Sequence, residues 1–279
     1  MKYFLTMFFG LCFLNVPSFA AEHETVFERM MRTQTIQCAY ILYEPAVMKD
    51  PNTGQMSGVV VDLMDEIARR AANGMKVEWT VESTYATFAE DLKRPNVDLM
   101  CATLWTMADT GLLGTSTVPL WYSGLGAFVR ADETRFQDLA ALNSEQVIIS
   151  DVDGSISGIV AAQDFPKAKI LSLPHSDDYT IQLMNVVNRK ADVAFLDTNF
   201  GAAFMAHNPD MLKNLVPERP LRVYSNALLV RKGEQEMLNF MNMALTELMN
   251  DGTVDRILNK HEAYPGSFYR VAKPYISGK

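Results

Sequence analysis

The sequence predicts an α/β protein of two lobes, each a mostly parallel sheet flanked by helices, joined by a two-stranded hinge. Apolar residues alternate between the period of a strand and the period of a helix as far as about residue 200. The order β-α-β-α-β occurs over 36–103 and again over 145–196, and each run implies a parallel sheet covered by helices. Two extended segments, 125–130 and 223–231, supply the two chain crossings that a pair of lobes needs.

The first twenty residues predict a cleaved secretion signal. Lys2 precedes an apolar run over 3–14, and small residues lead to Ala20, after which we expect cleavage. The run is shorter than the roughly 20 residues of a membrane span, which argues against the alternative of a membrane anchor. We therefore expect the mature protein in the periplasm.

The charge of the mature chain argues against a nucleic-acid partner. Without Lys2 it has 24 basic and 33 acidic side chains, and no basic block occurs, so we expect no nucleic-acid partner.

Cys38 and Cys101 remain in the mature chain, each in a strand-like run. They form either a disulfide, if those strands are neighbours, or two buried thiols.

The first unit starts with a strand at 36–42 and a turn at 49–55, rich in residues that favour bends. Apolar residues then recur at helical spacing over 59–68, and Asn73 with Gly74 ends this helix, because both tolerate a left-handed backbone. The rest of the unit is a strand at 76–81, a helix at 85–92 and a strand at 97–103.

The second unit has strands at 145–150, 168–173 and 191–196, with helices at 154–162 and 177–187. In the helix at 177–187 we expect Ile181, Met184 and Val187 to face the core. Helices at 235–249 and 253–260 should return to the first lobe. The predicted boundaries are the signal at 1–20, lobe I at 21–124, hinge at 125–130, lobe II at 131–222, hinge at 223–231 and lobe I again at 232–279.

Six segments resemble, in order, motifs of one family. Residues 58–68 (GVVVDLMDEIA) resemble its helix "GFDVDLAKAIA", 120–124 (LWYSG) its hinge entry "PYYxSG", and 191–197 (ADVAFLD) its strand "VDAVVxD". Residues 85–98 resemble its aromatic-led helix, with Pro95 in place of a glycine, and the last two matches are the GS at 154–155 and the NDGTV at 250–254. The chain is similar to the polar-amino-acid class of periplasmic solute-binding proteins, bacterial extracellular solute-binding family 3.

The resemblance implies a two-lobed periplasmic-binding-protein fold that holds a small polar ligand in the cleft between the lobes. Ligands of open parallel sheets also lie outside the carboxyl ends of the strands, which agrees with that position. Closure of the lobes about the hinge would bury the ligand and deliver it to the membrane subunits of an ABC transporter. The resemblance implies a monomer without a cofactor.

The resemblance also points to individual ligand contacts. Tyr43 follows the first strand near a family aromatic, and Tyr85 is either the aromatic that packs on the ligand or a core residue. Gly154 and Ser155 open a helix whose free N–H groups favour a carboxylate-like acceptor, although Ser155 is alternatively an ordinary cap. Asp197 ends a buried strand where the family holds an amino group, or else it caps the next helix.

One part of the motif is missing. Relatives that bind α-amino acids carry T-x-x-x-R after the third strand, and the arginine clamps the ligand carboxylate. Here the stretch begins at Thr103, with Asp109 or Thr110 at the arginine position, and no basic residue follows before Arg130. Trp105 stands where a small hydroxyl residue is usual, so it either shrinks the pocket or forms a stacking platform. We therefore expect a small polar ligand, amino-acid-like or amine-bearing, that meets Asp197 and the faces of Trp105 and Tyr85 through an amine or other donors. A ligand without a carboxylate, or a neutral polar one, fits equally well.

Two other functions stay open as alternatives. One is a periplasmic enzyme on the same fold, similar to cyclohexadienyl dehydratases, and the other is a ligand-sensing module of a membrane receptor. The four histidines show no zinc-ligand spacing and no nucleophile elbow is present, so we expect neither a metal nor catalysis. A dehydratase of dicarboxylates would also need arginines in the cleft.

Overall fold

The computed structural model describes residues 24–71, 74–153, 155–174, 178–262 and 267–271. The predicted signal with its cleavage after Ala20 lies outside these ranges, and so does Gly154. The helices are α1 Val26–Thr33, α2 Val59–Arg70, α3 Phe88–Asp91, α4 Ala108–Leu113, α5 Ile156–Asp164, α6 Thr180–Val187, α7 Thr198–His207, α8 Gln235–Asn250 and α9 Thr253–His261. The strands are β1 Thr35–Tyr40, β2 Met48–Lys49, β3 Met56–Ser57, β4 Lys76–Glu82, β5 Leu99–Trp105, β6 Thr115–Ser116, β7 Trp121–Arg130, β8 Ile148–Val152, β9 Lys169–Leu173, β10 Val193–Asp197, β11 Leu212–Asn214 and β12 Arg222–Val230.

The main sheet consists of two parallel halves with an antiparallel centre. Its order is β4-β1-β5-β12-β7-β10-β8-β9, with β1 parallel to β4 and β5, and β8 parallel to β9 and β10. The two long central strands β7 and β12 pair antiparallel to each other. The α/β class and the two β-α-β-α-β units expected from the sequence are therefore confirmed.

The two halves bury separate cores. One core combines the apolar faces of α2, α8 and α9 with β1 and β5, so the C-terminal helices pack on the first half of the sheet. Leu63, Met64, Leu245 and Leu258 lie in this core with almost no exposed surface. In the second half, Phe195 and Val193 of β10 are buried against α5, and Ala194 and Leu196 on the other face of the strand pack against α6. Burial of such side chains contributes about 1.5–3 kcal/mol each.

A disulfide joins the first half internally. Cys38 of β1 and Cys101 of β5 are bonded, with 5.3 Å between their Cα atoms. The bond forms because the strands are parallel neighbours, with Cys38 opposite Leu99. Of the two alternatives left by the sequence, the structure contains the bridge rather than two free thiols.

Two helical predictions need correction. The expected helix at 85–92 is shorter, because hydrogen bonds between the hydroxyls and backbones of Thr84 and Thr87 form turns first, and Tyr85 lies in those turns. In α6 the buried face is shifted by one residue. Ile181 is 40% exposed, whereas Gln182 and Leu183 have no exposed surface, because β7 and β8 decide which face is covered.

Helix α1 had not been expected. Thr25 accepts a hydrogen bond from the backbone N–H of Glu28, whose carboxylate accepts one from Thr25 N–H, which is a capping box. Arg29 on this helix forms an ion pair with the fully buried Asp98, and Asp98 also accepts a hydrogen bond from Gln37 N–H at 2.7 Å. The helix thus packs against β1 and α8 of the first half.

Within the described ranges, no helix has the length and apolar character needed to cross a membrane. Across the same ranges, no group of three or more histidine, cysteine or acidic side chains is arranged to hold a metal ion.

Candidate functional site

A cavity of about 210 Å³ lies between the two halves of the molecule. Four parallel strands end at or just before residues that line it: β1 before Tyr43, β5 at Trp105, β8 before Ser155 and β10 at Asp197. The cavity therefore lies at the carboxyl edge of both half-sheets, where open parallel sheets bind ligands. An apolar cavity of about 150 Å³ already admits benzene, so there is room for a small solute.

Asp197 is the buried carboxylate of the cavity. It is only 7% exposed, and it accepts a hydrogen bond from the backbone N–H of Asn199 at 2.7 Å, which caps α7. Burial raises the pKa of Asp197, while hydrogen bonds from the Ser123 hydroxyl and from the N–H groups of Asn199 and Phe200 act in the opposite direction. Asp197 thus caps a helix and also faces the cavity, and the two interpretations of the sequence are compatible.

The Ser123 hydroxyl is itself held in position. Asn226 of β12 donates a hydrogen bond from Nδ2 to Ser123 Oγ at 2.9 Å, so the Ser123 proton is free for Asp197. Both residues line the cavity and are almost fully buried. Through these two hydrogen bonds, the central strands β7 and β12 support the carboxylate of the residue that ends β10.

Aromatic rings from both halves close the cavity. Tyr43 stacks on Phe200 with 6.3 Å between ring centroids, and Tyr85 meets Tyr179 edge to face at 6.2 Å. Tyr43 and Tyr85 also contact each other at 6.4 Å. Burial, with a further contribution from the charge of Asp197, raises the pKa of Tyr43 well above its usual value. Tyr43 therefore stays a neutral hydroxyl at physiological pH.

Trp105 forms another wall, and one of its faces is occupied. Its ring lies parallel to that of Tyr224 on β12, with centroids 4.6 Å apart and planes 9° apart. Thr110 closes the turn behind it by donating its hydroxyl to the Trp105 carbonyl at 3.0 Å. Thr103 and Thr110 both line the cavity and are buried. Thr110, one of the two residues that stand where relatives carry the arginine, thus has its hydroxyl hydrogen-bonded to the backbone.

Ser155 lines the cavity and is the N-cap of α5. Its Oγ accepts a hydrogen bond from Ser157 N–H at 3.2 Å and donates to Asp151 at 2.7 Å. Burial raises the pKa of Asp151. The capping role expected as one alternative is present, and a ligand contact by Ser155 stays a prediction.

Sequence reasoning missed several polar residues of the cavity, which are Glu44, Ser123, Gln182, Asn199 and Asn226. Gln182 was missed because the buried face of α6 was assigned one residue away. Its amide has no hydrogen-bond partner on either atom among the residues that the structure describes. A glutamine between Ile181 and Leu183 in an apolar helix was the only available signal.

The charged residues of the described chain that line the cavity are all acidic. Two acidic residues line it, the buried Asp197 and the exposed Glu44, and no lysine, arginine or histidine of the described chain does so. Nine aromatic residues contribute to the walls: Tyr43, Tyr85, Phe88, Trp105, Trp121, Tyr179, Phe195, Phe200 and Phe268. Carboxylates next to aromatic faces attract cations, since the ring face is negative.

Comparisons with known proteins agree on one family. The model of "Bacterial extracellular solute-binding proteins, family 3" matches residues 36–263. A probable histidine-binding protein of Campylobacter jejuni is 21% identical over 224 residues, covering 79% of this chain and 81% of its own. The amino-acid-binding protein AabA of Dichelobacter nodosus is 25% identical over 213 residues, covering 74% and 79% of the two chains.

Solved structures are similar in fold. An ancestral amino acid-binding protein described as a precursor of cyclohexadienyl dehydratase has a TM-score of 0.73 at 23% identity, covering 85% of this chain and 99% of its own. A putative ABC-transporter binding component from Wolinella succinogenes, complexed with lysine, has a TM-score of 0.71 at 22% identity, covering 83% and 97%. Similarity at this level of identity concerns the fold alone.

Proposed function

The chain belongs to family 3 of the bacterial extracellular solute-binding proteins, and on this premise we propose that its cavity captures a small solute that carries a protonated amine. Solute binding follows from the family. The amine, the periplasm as the place of action and delivery to the membrane subunits of an ABC importer belong to the proposal. The residues proposed to contact the solute are Tyr43, Tyr85, Thr103, Trp105, Thr110, Gly154, Ser155 and Asp197.

The observation that carries the proposal is the environment of Asp197. A carboxylate that is 7% exposed is costly to keep ionised unless a cation or several donors meet it. Its hydrogen bonds come only from neutral donors, the Ser123 hydroxyl, the Asn199 side chain and backbone N–H groups, and no basic side chain of the described chain lines the cavity. A protonated amine would supply the missing positive charge. The nearby aromatic faces would add about 0.5–2 kcal/mol to its binding.

The same charges disfavour a ligand carboxylate. An α-amino acid would bring its carboxylate into a cavity that already holds Glu44 and Asp197. The hydroxyl of Thr110 cannot replace a guanidinium fork, and it is already donated to the Trp105 carbonyl. The proposal is therefore an amine without an α-carboxylate. Relatives described as histidine-binding or complexed with lysine fit the amine part of this proposal.

An enzymatic role receives less support. The structural relative named as a precursor of cyclohexadienyl dehydratase is similar in fold only. A dehydratase of dicarboxylates would need cationic side chains in the cleft, and no lysine, arginine or histidine of the described chain lines this cavity. A sensor for a membrane receptor would use the same cavity, and only its partner would differ.

Matched ligand pairs test the proposal. Calorimetry on the chain from residue 21 onward would compare lysine with cadaverine, histidine with histamine and arginine with agmatine. Each pair differs only in the carboxylate, so we expect the amine to bind at least tenfold more tightly, or about 1.4 kcal/mol. A hundredfold excess over Kd should also raise the unfolding free energy by about 2.7 kcal/mol in a thermal-shift assay.

Asp197→Asn provides the variant for this test. It keeps a side chain that can cap α7 but removes the charge, so amine binding should weaken about 10- to 150-fold, the value of a charged hydrogen bond. Asp210→Asn is the matched control, because Asp210 is exposed and does not line the cavity. Tighter binding of any α-amino acid than of its amine would overturn the proposal. Failure of every amine, with turnover of a cyclohexadienyl acid, would move the function to the enzyme.

A further inference from the structure

Gln182 presents an unpaired amide at the wall of the cavity. It is the third residue of α6, has no exposed surface and lines the cavity. Neither Nε2 nor Oε1 has a hydrogen-bond partner among the described residues. A buried amide with both ends unpaired is unfavourable, and each such group in a native protein calls for a specific explanation.

A second residue of the cavity lining also has an unpaired amide oxygen. Asn199 Oδ1 has no partner among the described residues, while the backbone N–H of the same residue donates to Asp197. Two amide oxygens and one amide NH2 group on cavity-lining residues of the second half are therefore without partners among the described residues. Together with the Asp197 carboxylate, these groups demand more donors than acceptors from a ligand.

A carboxamide satisfies this pattern better than a carboxylate does. It presents N–H and C=O on one edge and so pairs at two points with a glutamine amide. A carboxylate has no donor for Gln182 Oε1 or Asn199 Oδ1, and its charge would oppose that of Asp197. A second ammonium group would leave Gln182 Nε2 without an acceptor. A methyl group would leave both amide atoms unpaired.

We propose that Gln182 is a specificity-determining residue that pairs with a neutral amide-type group, a carboxamide or a urea, on the amine-bearing solute. This inference rests on the proposed function, because Asp197 holds the amine of the same ligand. It narrows the ligand from amines in general to amino-amides. Asn199 accepts a further N–H from the amide end.

The first test uses the unmodified protein. Calorimetry would compare ω-amino amides with two to five methylene groups against the alkylamine, the diamine and the ω-amino acid of equal chain length. At one chain length or more, we expect the amide to bind at least tenfold more tightly than the alkylamine, the diamine and the ω-amino acid of the same length. If plain amines bind and the amide has no advantage at any length, the proposal is wrong and the amine function stands. If no amine or amide binds, both proposals are overturned.

Gln182→Met separates ligand recognition from a structural role. Methionine is unbranched and of similar length, and it removes both unpaired atoms, so the empty variant should melt at a temperature equal to or above that of the parent. The amide preference should disappear while the affinity for the alkylamine stays within about twofold. Gln163→Met, at an exposed position of α5, is the matched control and should change neither. A variant that melts lower and loses every ligand equally would show that Gln182 supports the fold instead.

Discussion

Reducing the Cys38–Cys101 disulfide should lower the free energy of unfolding by about 4 kcal/mol. The two cysteines are 63 residues apart in the chain, and the entropy lost by closing a loop of that length in the unfolded state corresponds to about 4 kcal/mol at 25 °C. Both side chains are fully buried, so the packing around them should hold after reduction. For a chain of this size the loss corresponds to a fall in Tm of about 10 °C.

Urea unfolding followed by circular dichroism, with and without a reductant, measures this difference. The Cys38→Ala/Cys101→Ala variant is the control and should not respond to the reductant. Cys12 lies in the predicted signal, so the denatured mature chain should titrate no thiol before reduction and two afterwards. Two thiols without reduction, or a reductant effect below about 1 kcal/mol, would refute the reasoning.

Two further predictions concern the cavity. Burial raises the pKa of Asp197, so amine affinity should fall as the pH is lowered from 7 toward that raised pKa, because the carboxylate loses its charge. Over the same pH range the empty protein should gain stability, because the folded state binds this proton more tightly than the unfolded state does. Calorimetry at stepped pH should show this loss, and Asp197→Asn should abolish it. Trp105→Ala should cost at least about 1 kcal/mol of unfolding free energy by losing the Tyr224 stack, and Trp105→Phe should retain most of it. Urea unfolding measures both variants, and equal stability of all three chains would contradict the stacking role.

The fold was predictable wherever local periodicity decided it. The helix at 59–68 and the strand that ends at Asp197 carry strong apolar patterns, and both are present as α2 and β10. Helix α6 shows the limit of such patterns. Its side chains Ile181, Gln182 and Leu183 offer two possible apolar faces, and only contact with β7 and β8 selects the one that buries the glutamine.

The candidate site was predictable one residue at a time but not as an arrangement. Tyr43, Trp105, Ser155 and Asp197 were each expected from the resemblance to the family, and all four line the cavity at the carboxyl edge of the half-sheets. The contact of Tyr43 with Phe200 joins positions far apart in the chain, and no local pattern encodes it. Whether these side chains contact a solute stays a prediction.

The positions of the three tryptophans give this protein a built-in optical signal. Trp105 and Trp121 line the cavity, whereas Trp79 packs edge to face on Tyr40, 5.8 Å away, outside the cavity lining. A cation seated beside the first two indoles would change their fluorescence, and the third would serve as an internal reference. Occupancy of the cavity can therefore be followed in real time by intrinsic emission, without a dye or a label.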